Sequence, residues 1–190
     1  MGVIPDGIDA RLKAFLEAQP LFFVATAPLS GDGHINLSPK GLHGLRVLAP
    51  DAVAYLDLTG SGVETAAHLR ENRRIVLMCC AFEGPPRIVR LHGRGEVVEA
   101  GAPGFADLAA RWPADPAARA VVRVGVDRVA DSCGFGVPLM RFVGERDQLP
   151  AWAARKGEAG LAEYRAAKNA ASIDGLQGLP PARRPGYPPG

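Results

Sequence analysis

Two periodicities run through this chain. Ile8, Leu12, Phe15 and Leu16 recur at helical spacing, Asp6 or Asp9 supplies a start signal, and Pro20 stops the pattern. Beyond Pro20 the apolar positions gather into short β-forming runs: Leu21–Ala27, Ala52–Leu58 and Ile75–Phe82 are nearly continuous and read as buried strands. His34–Ser38, Leu45–Leu48, Arg87–Glu99 and Ala120–Val129 add further strands, and Gly93 and Gly95 mark bends inside the longest. Turn chemistry separates them at Pro28–Gly33, Pro50–Asp51 and Glu83–Pro86. Helical patterns fit Val63–Glu71, Gly104–Arg111, Arg146–Lys156 and Gly160–Asn169, and Asp131–Pro138 reads as a loop. Six or seven strands with few helices between them predict a mainly β (α+β) fold: an antiparallel barrel with peripheral helices, not a βαβ sheet.

Length and composition place limits on this picture. With 190 residues, 47% of them hydrophobic, the chain is long enough for one domain and an extension. The pattern divides it into a barrel domain over 1–145, a helical extension over 146–178, and a Pro-rich segment over 179–190 whose composition predicts an extended or disordered tail. A net charge of +2 with dispersed Lys and Arg argues against a nucleic-acid binder. The start of the chain lacks the pattern of a signal peptide, and Ile75–Phe82, its longest apolar run, is far short of a bilayer span. A cytoplasmic protein is expected. Cys79, Cys80 and Cys133 lack framework spacing and read as free thiols, and the four scattered histidines give no zinc pattern.

Four segments carry candidate chemistry. Thr59-Gly-Ser-Gly-Val-Glu-Thr65 links a strand to a helix. Ser61 and Glu64 have capping-box spacing. The same segment offers open glycine N–H groups, the Ser61 and Thr65 hydroxyls and a helix N-terminus to a phosphate. Both readings hold together. In Asn36-Leu-Ser-Pro-Lys-Gly41 the polar residues alternate, so Asn36, Ser38 and Lys40 share one strand face, either as a solvated surface or as the lining of a ligand groove. Arg87 and Arg90 fall on opposite faces of a regular strand. In Asp131–Pro138 two glycines flank Phe135 and permit close approach to a backbone or a flat ring. Asp131 would raise the pKa of Cys133, and no histidine stands in a nucleophile–base pattern.

Taken in order, Leu21–Ala27, Asn36–Gly41, Tyr55–Gly62, Ala66–Asn72, Ile75–Met78 and Arg87–Gly95 resemble the FMN-binding split β-barrels related to pyridoxamine 5′-phosphate oxidase. The resemblance covers residues 15–100, and the later segments 131–138 and 168–175 look like a bacterial oxidase-related subgroup. It implies a homodimer with FMN in clefts between subunits, acting as an oxidoreductase on a small molecule. By position it implies a flavin site drawn from Asn36, Ser38, Lys40, Gly41, Asp57, Leu58, Thr59, Ser61, Gly62, Thr65, Arg87, Gly134 and Phe135, with the phosphate at Ser61 and Thr65. The chain departs from the oxidases at Ile35, where they carry an arginine, at Val63-Glu-Thr65, where they carry an Arg-Lys pair, and in its Pro-rich C-terminus. Vitamin B6 oxidation is therefore not expected. The alternatives are the deazaflavin F420, with Arg70, Arg73, Arg74 and Arg94 as candidates for its acidic tail, a non-catalytic flavin- or haem-binding module, and a cofactor-free assembly partner.

Overall fold

The structure, a computed structural model, describes residues 2–4 and 7–179. In chain order it holds β1 (Gly2–Ile4), α1 (Ala10–Glu17), β2 (Phe22–Thr26), β3 (Asn36–Lys40), β4 (Arg46–Ala49) and β5 (Ala52–Leu58). There follow α2 (Glu64–Asn72), β6 (Arg74–Cys80), β7 (Ile88–Glu99), α3 (Phe105–Ala109), β8 (Ala118–Ser132) and α4 (Gln148–Lys168). All strand pairs are antiparallel. Seven strands run in the order β3-β2-β6-β7-β8-β5-β4, and β1 adds to the far half of β8. This is the mainly β, split-barrel architecture expected from the pattern.

One face of every central strand fills the barrel. Phe22 and Val24 of β2, Leu77 and Cys79 of β6, Val89 and Leu91 of β7, Val122 and Val124 of β8, and Val53 and Tyr55 of β5 form one core with Leu12 and Leu16 of α1. Asp9 caps α1 by accepting from the Leu12 N–H at 2.7 Å. The strand curves at Gly93. There the β7–β8 register shifts, and a Cβ on residue 93 would lie 2.0 Å from the Gly125 carbonyl oxygen, so only glycine fits.

Two local readings change, and a third holds. β8 runs through Ser132, because Asp131 and Ser132 stay in register with Val89 and Ile88; the loop expected from Asp131 begins at Cys133. The capping box does not form: Val63 is the N-cap of α2, no side chain caps it, and Glu64 instead accepts from the Ile173 N–H. The two helices expected in the extension are present as the two halves of α4, on either side of a break at Gly157 (φ 64°, ψ 174°). Leu179 is buried against Val63 and Ala66, and the rest of the Pro-rich segment lies outside the described residues.

Candidate functional site

The polar face of β3 lies on the core side of an edge strand. Asn36, Ser38 and Lys40 stand opposite Thr26, Val24 and Phe22 of β2, and β3 has no neighbour on its other side among the described strands. Side chains close that gap. The Lys40 ammonium donates to Asp57 Oδ1 at 2.7 Å, reaching β5. The Asn36 amide donates to Thr65 Oγ1 at 2.9 Å, reaching α2, and to Thr26 Oγ1 at 3.2 Å. Ser38 Oγ donates to Asn36 Oδ1 at 2.9 Å, and Thr26 Oγ1 lies 3.0 Å from Nδ1 of the fully buried His68. The result is a polar seam along the split of the barrel in two bonded groups, Ser38-Asn36-Thr26-His68 with Thr65 at one end and Lys40-Asp57 at the other.

Asp57 anchors the seam. Burial alone would raise its carboxyl, yet Lys40 and Arg119, as charges and as donors, hold it below the usual carboxylate range. Arg119 is itself 6% exposed and donates through Nε to Asp57 Oδ2 at 2.7 Å. Burial, and then the Asp57 charge, push the neighbouring Tyr55 hydroxyl well above its ordinary pKa. His68 is pulled below its ordinary pKa by burial and stays neutral.

The loop after β5 rests on the same arginine. Arg119 donates to the carbonyl oxygens of Gly60 (3.2 Å) and Gly62 (2.8 Å). Asn169, completely buried at the end of α4, donates to those of Gly60 (2.9 Å) and Ser61 (3.4 Å), and accepts from Arg119 at 2.9 Å. Arg165 Nε donates to Thr59 Oγ1 at 2.7 Å. The three carbonyls therefore turn inward, while Ser61 and Gly62 are exposed. The first turn of α2 follows with no side-chain cap. Two cations, Lys40 and Arg119, meet the Asp57 carboxylate here, and a third, Arg165, is held beside them on the Thr59 hydroxyl. Burial, and to a lesser degree the Arg119 charge, lower the Arg165 pKa. An anion resting on this loop meets uncapped backbone N–H groups above the Arg119 guanidinium, with the Glu64 carboxylate beside Gly62 as the opposing charge.

The seam thus gathers Asn36, Ser38, Lys40, Asp57 and Thr65, with Thr59, Ser61 and Gly62 on its loop. Leu58 turns to the opposite face of β5, against Trp152 and α3. Gly41 lies just past the Lys40 end, near Glu145. Arg87, Gly134 and Phe135 form a different group. Arg87 Nε donates to Asp131 at 2.9 Å, and its guanidinium sits 4.9 Å over the Phe15 ring. Gly134 (φ 67°) packs on the Arg87 backbone, where a Cβ would come within 2.8 Å, and Phe135 is 81% exposed. Of the arginines named for an acidic tail, Arg70 and Arg73 pair with Glu99 and Glu96, leaving Arg74 and Arg94 facing each other across β6 and β7. Beside Gly41, a cavity of about 300 Å³ is walled by Pro20, Leu21, Phe82, Met140 and Phe142. Arg119, Arg165, Asn169 and His68 were missed from sequence. The available signal was Arg119 beside the apolar run Ala120–Val122, and Arg165 and Asn169 spaced one helical turn apart.

Fold and seam together define a small split-barrel protein with a line of polar side chains along the split. Comparison with known proteins places it more closely. The family profile described as pyridoxamine 5′-phosphate oxidase matches residues 8–133, and the chain belongs to that family. It is 39% identical, over 203 aligned positions, to a pyridoxamine 5′-phosphate oxidase family protein, ustO, of Aspergillus flavus, covering 97% of this chain and 80% of that one. In fold it is similar to HupZ of Group A Streptococcus, with a TM-score of 0.52 and 23% identity over 66% of this chain and 94% of HupZ. A second HupZ structure, of a point variant, gives a TM-score of 0.51 and 23% identity over 66% of this chain and 99% of that one.

Proposed function

We propose that this protein is an FMN-binding oxidoreductase that works as a cytoplasmic homodimer. One observation carries the cofactor assignment: the carbonyls of the loop Thr59–Gly62 are turned inward onto the buried Arg119 and Asn169, which leaves the loop's N–H groups and the uncapped first turn of α2 facing out. That arrangement suits a phosphate monoester. It supplies through backbone N–H groups and buried charge what an Arg-Lys pair would supply at Val63-Glu-Thr65. The stripe Asn36-Ser38-Lys40 fits the polar edge of a planar ring, since Lys40 has donors beyond the one spent on Asp57 and Ser38 keeps free lone pairs. When bound, FMN would supply hydride or electron transfer. The protein's own part is to hold the phosphate at Ser61 and Thr65, orient the ring along β3 and keep Asp57 ionised. Phe82, Met140 and Phe142 give a small substrate an apolar wall near Gly41.

The dimer rests on the outer face of the same strands. Phe23 and Ala25 of β2 stand opposite Met78 and Val76 of β6, and Ala25 opposite Leu37 of β3. Leu37 is 65% exposed, and Ile35, just before β3, is 79% exposed. An apolar stripe ending at an unpaired edge strand fits a second copy of this chain. The three unpaired cysteines fit a reducing compartment.

The test is the visible spectrum of protein purified without added cofactor, followed by titration with FMN. Flavin absorbance, or a Kd of about 1 μM or tighter (roughly −8 kcal/mol), supports the assignment. Ser61→Ala, at an exposed hydroxyl outside the seam, should weaken binding about fivefold, the loss of one hydrogen bond worth about 1 kcal/mol. A colourless protein with no response to FMN overturns it.

A further inference from the structure

We infer that the C-terminal arm, acting through Asn169, is the element that makes the site select a phosphorylated flavin over an unphosphorylated one. This rests on the assignment of FMN above. The family match ends at residue 133, so nothing in it assigns a role to the arm. The relative from Aspergillus flavus aligns over 97% of the chain, arm included.

The geometry gives the arm one task. Asn169 follows α4, and its amide spans the Gly60 and Ser61 carbonyls while its oxygen accepts from Arg119. The chain then makes a tight turn: Ala171 bridges Gln177, and the Ser172 N–H donates to the Leu176 carbonyl at 2.9 Å. It returns so that the Leu179 N–H donates to the Asn169 carbonyl at 2.8 Å, and Leu179 is buried on Val63 and Ala66. At the tip, Asp174 accepts from the His34 N–H at 2.8 Å and contacts the His34 ring at 2.6 Å. Gly178 passes so close that a Cβ would lie 2.3 Å from the Asn169 carbonyl oxygen. The arm is thus tied at both ends and presents one amide to the loop.

That amide decides which way the loop's peptide planes face. Gly60 and Gly62 leave the loop free to rotate. With Asn169 and Arg119 holding the carbonyls from below, the N–H groups of the Ser61 and Gly62 peptides face outward. Without Asn169 the Ser61 carbonyl has no partner among the described residues and can turn toward the site, where it repels an anion. The rest of a flavin meets β3, which Asn169 does not touch. Asn169 reaches the ring side only at two removes, through Arg119 and Asp57, so the arm acts first on the phosphate, and Asn169 is a positioning residue.

The experiment measures FMN and riboflavin Kd values side by side for the wild type, Asn169→Ala and Asn169→Asp. The Asp variant keeps the size and the acceptor for Arg119 and removes the amide donor, whereas Ala removes both and leaves a gap. The wild type should prefer FMN. Both variants should lose about tenfold of that preference with riboflavin affinity unchanged within about twofold, and the protection from amide exchange that bound FMN gives Ser61 and Gly62 in the wild type should be lost in the variants. A purely structural role would lower both affinities together, and that result overturns the inference. Variants that keep the wild-type preference overturn it as well. A wild type that binds neither flavin, or both equally, removes the FMN assignment itself.

Discussion

Replacing Asp57 with Asn tests the centre of the seam. Asp57 is 3% exposed and accepts from Lys40 and Arg119 at 2.7 Å each. Asn keeps the shape and loses the charge. Lys40 is partly solvated, with 21% of its side chain exposed, and regains water at modest cost. Arg119, at 6%, does not, and a buried charge left without its partner costs about 3–5 kcal/mol. For a chain of this size that is a fall in Tm of roughly 6–20 °C. The penalty depends on pH. Because the folded carboxyl lies below the unfolded value of about 3.9, the stability it contributes is complete above that pH and is lost as pH falls through the lower folded value. Urea unfolding of both proteins at pH 7 and in steps toward pH 3 should show a wide gap that narrows with acid. A gap under about 1 kcal/mol at pH 7, or one that does not change with pH, would refute the view of Asp57 as the ionised anchor of two cations.

Three further outcomes are expected. Burial, and then the neighbouring Cys80, push the Cys79 thiol up to about 12, and burial raises Cys80 as well, while Cys133 is exposed; a thiol reagent at pH 8 should therefore titrate one cysteine in the native protein and three in denaturant. Gly178→Ala should cost about 1–3 kcal/mol by overpacking against the Asn169 backbone, read as a lower urea midpoint. Leu37→Asp should leave the fold intact, since the side chain is 65% exposed, and shift the protein to a monomer in sedimentation velocity; an unchanged dimer would place the interface elsewhere.

The strands were legible because burial imposes a pattern. β2, β5, β6 and β7 lie within one or two residues of their expected ranges, and the bend at Gly93 follows from a glycine inside a long β run. The break in α4 at Gly157 was legible for the same local reason. The alternation in Asn36-Leu-Ser-Pro-Lys40 placed three polar side chains on one face, and the structure puts them there. Local pattern misled at Ser61 and Glu64, where capping-box spacing is present but the arm's Ile173 N–H draws Glu64 away from the cap.

Along-chain spacing determined which residues are strand or helix, which face of each is apolar, and that a Gly-Ser-Gly loop precedes a helix. It could not determine who meets whom across the barrel. Asp57, Arg119 and Asn169 are separated by 62 and 50 residues, and their contact exists only because β5 pairs with β8 and α4 returns over both. Long-range pairing is set by closure of the sheet and by burial of the whole core, quantities that no window of sequence contains. The family and its fold could therefore be read from the string of residues, whereas the two cations paired on one buried carboxylate, with Arg165 beside them, were decided by the tertiary structure.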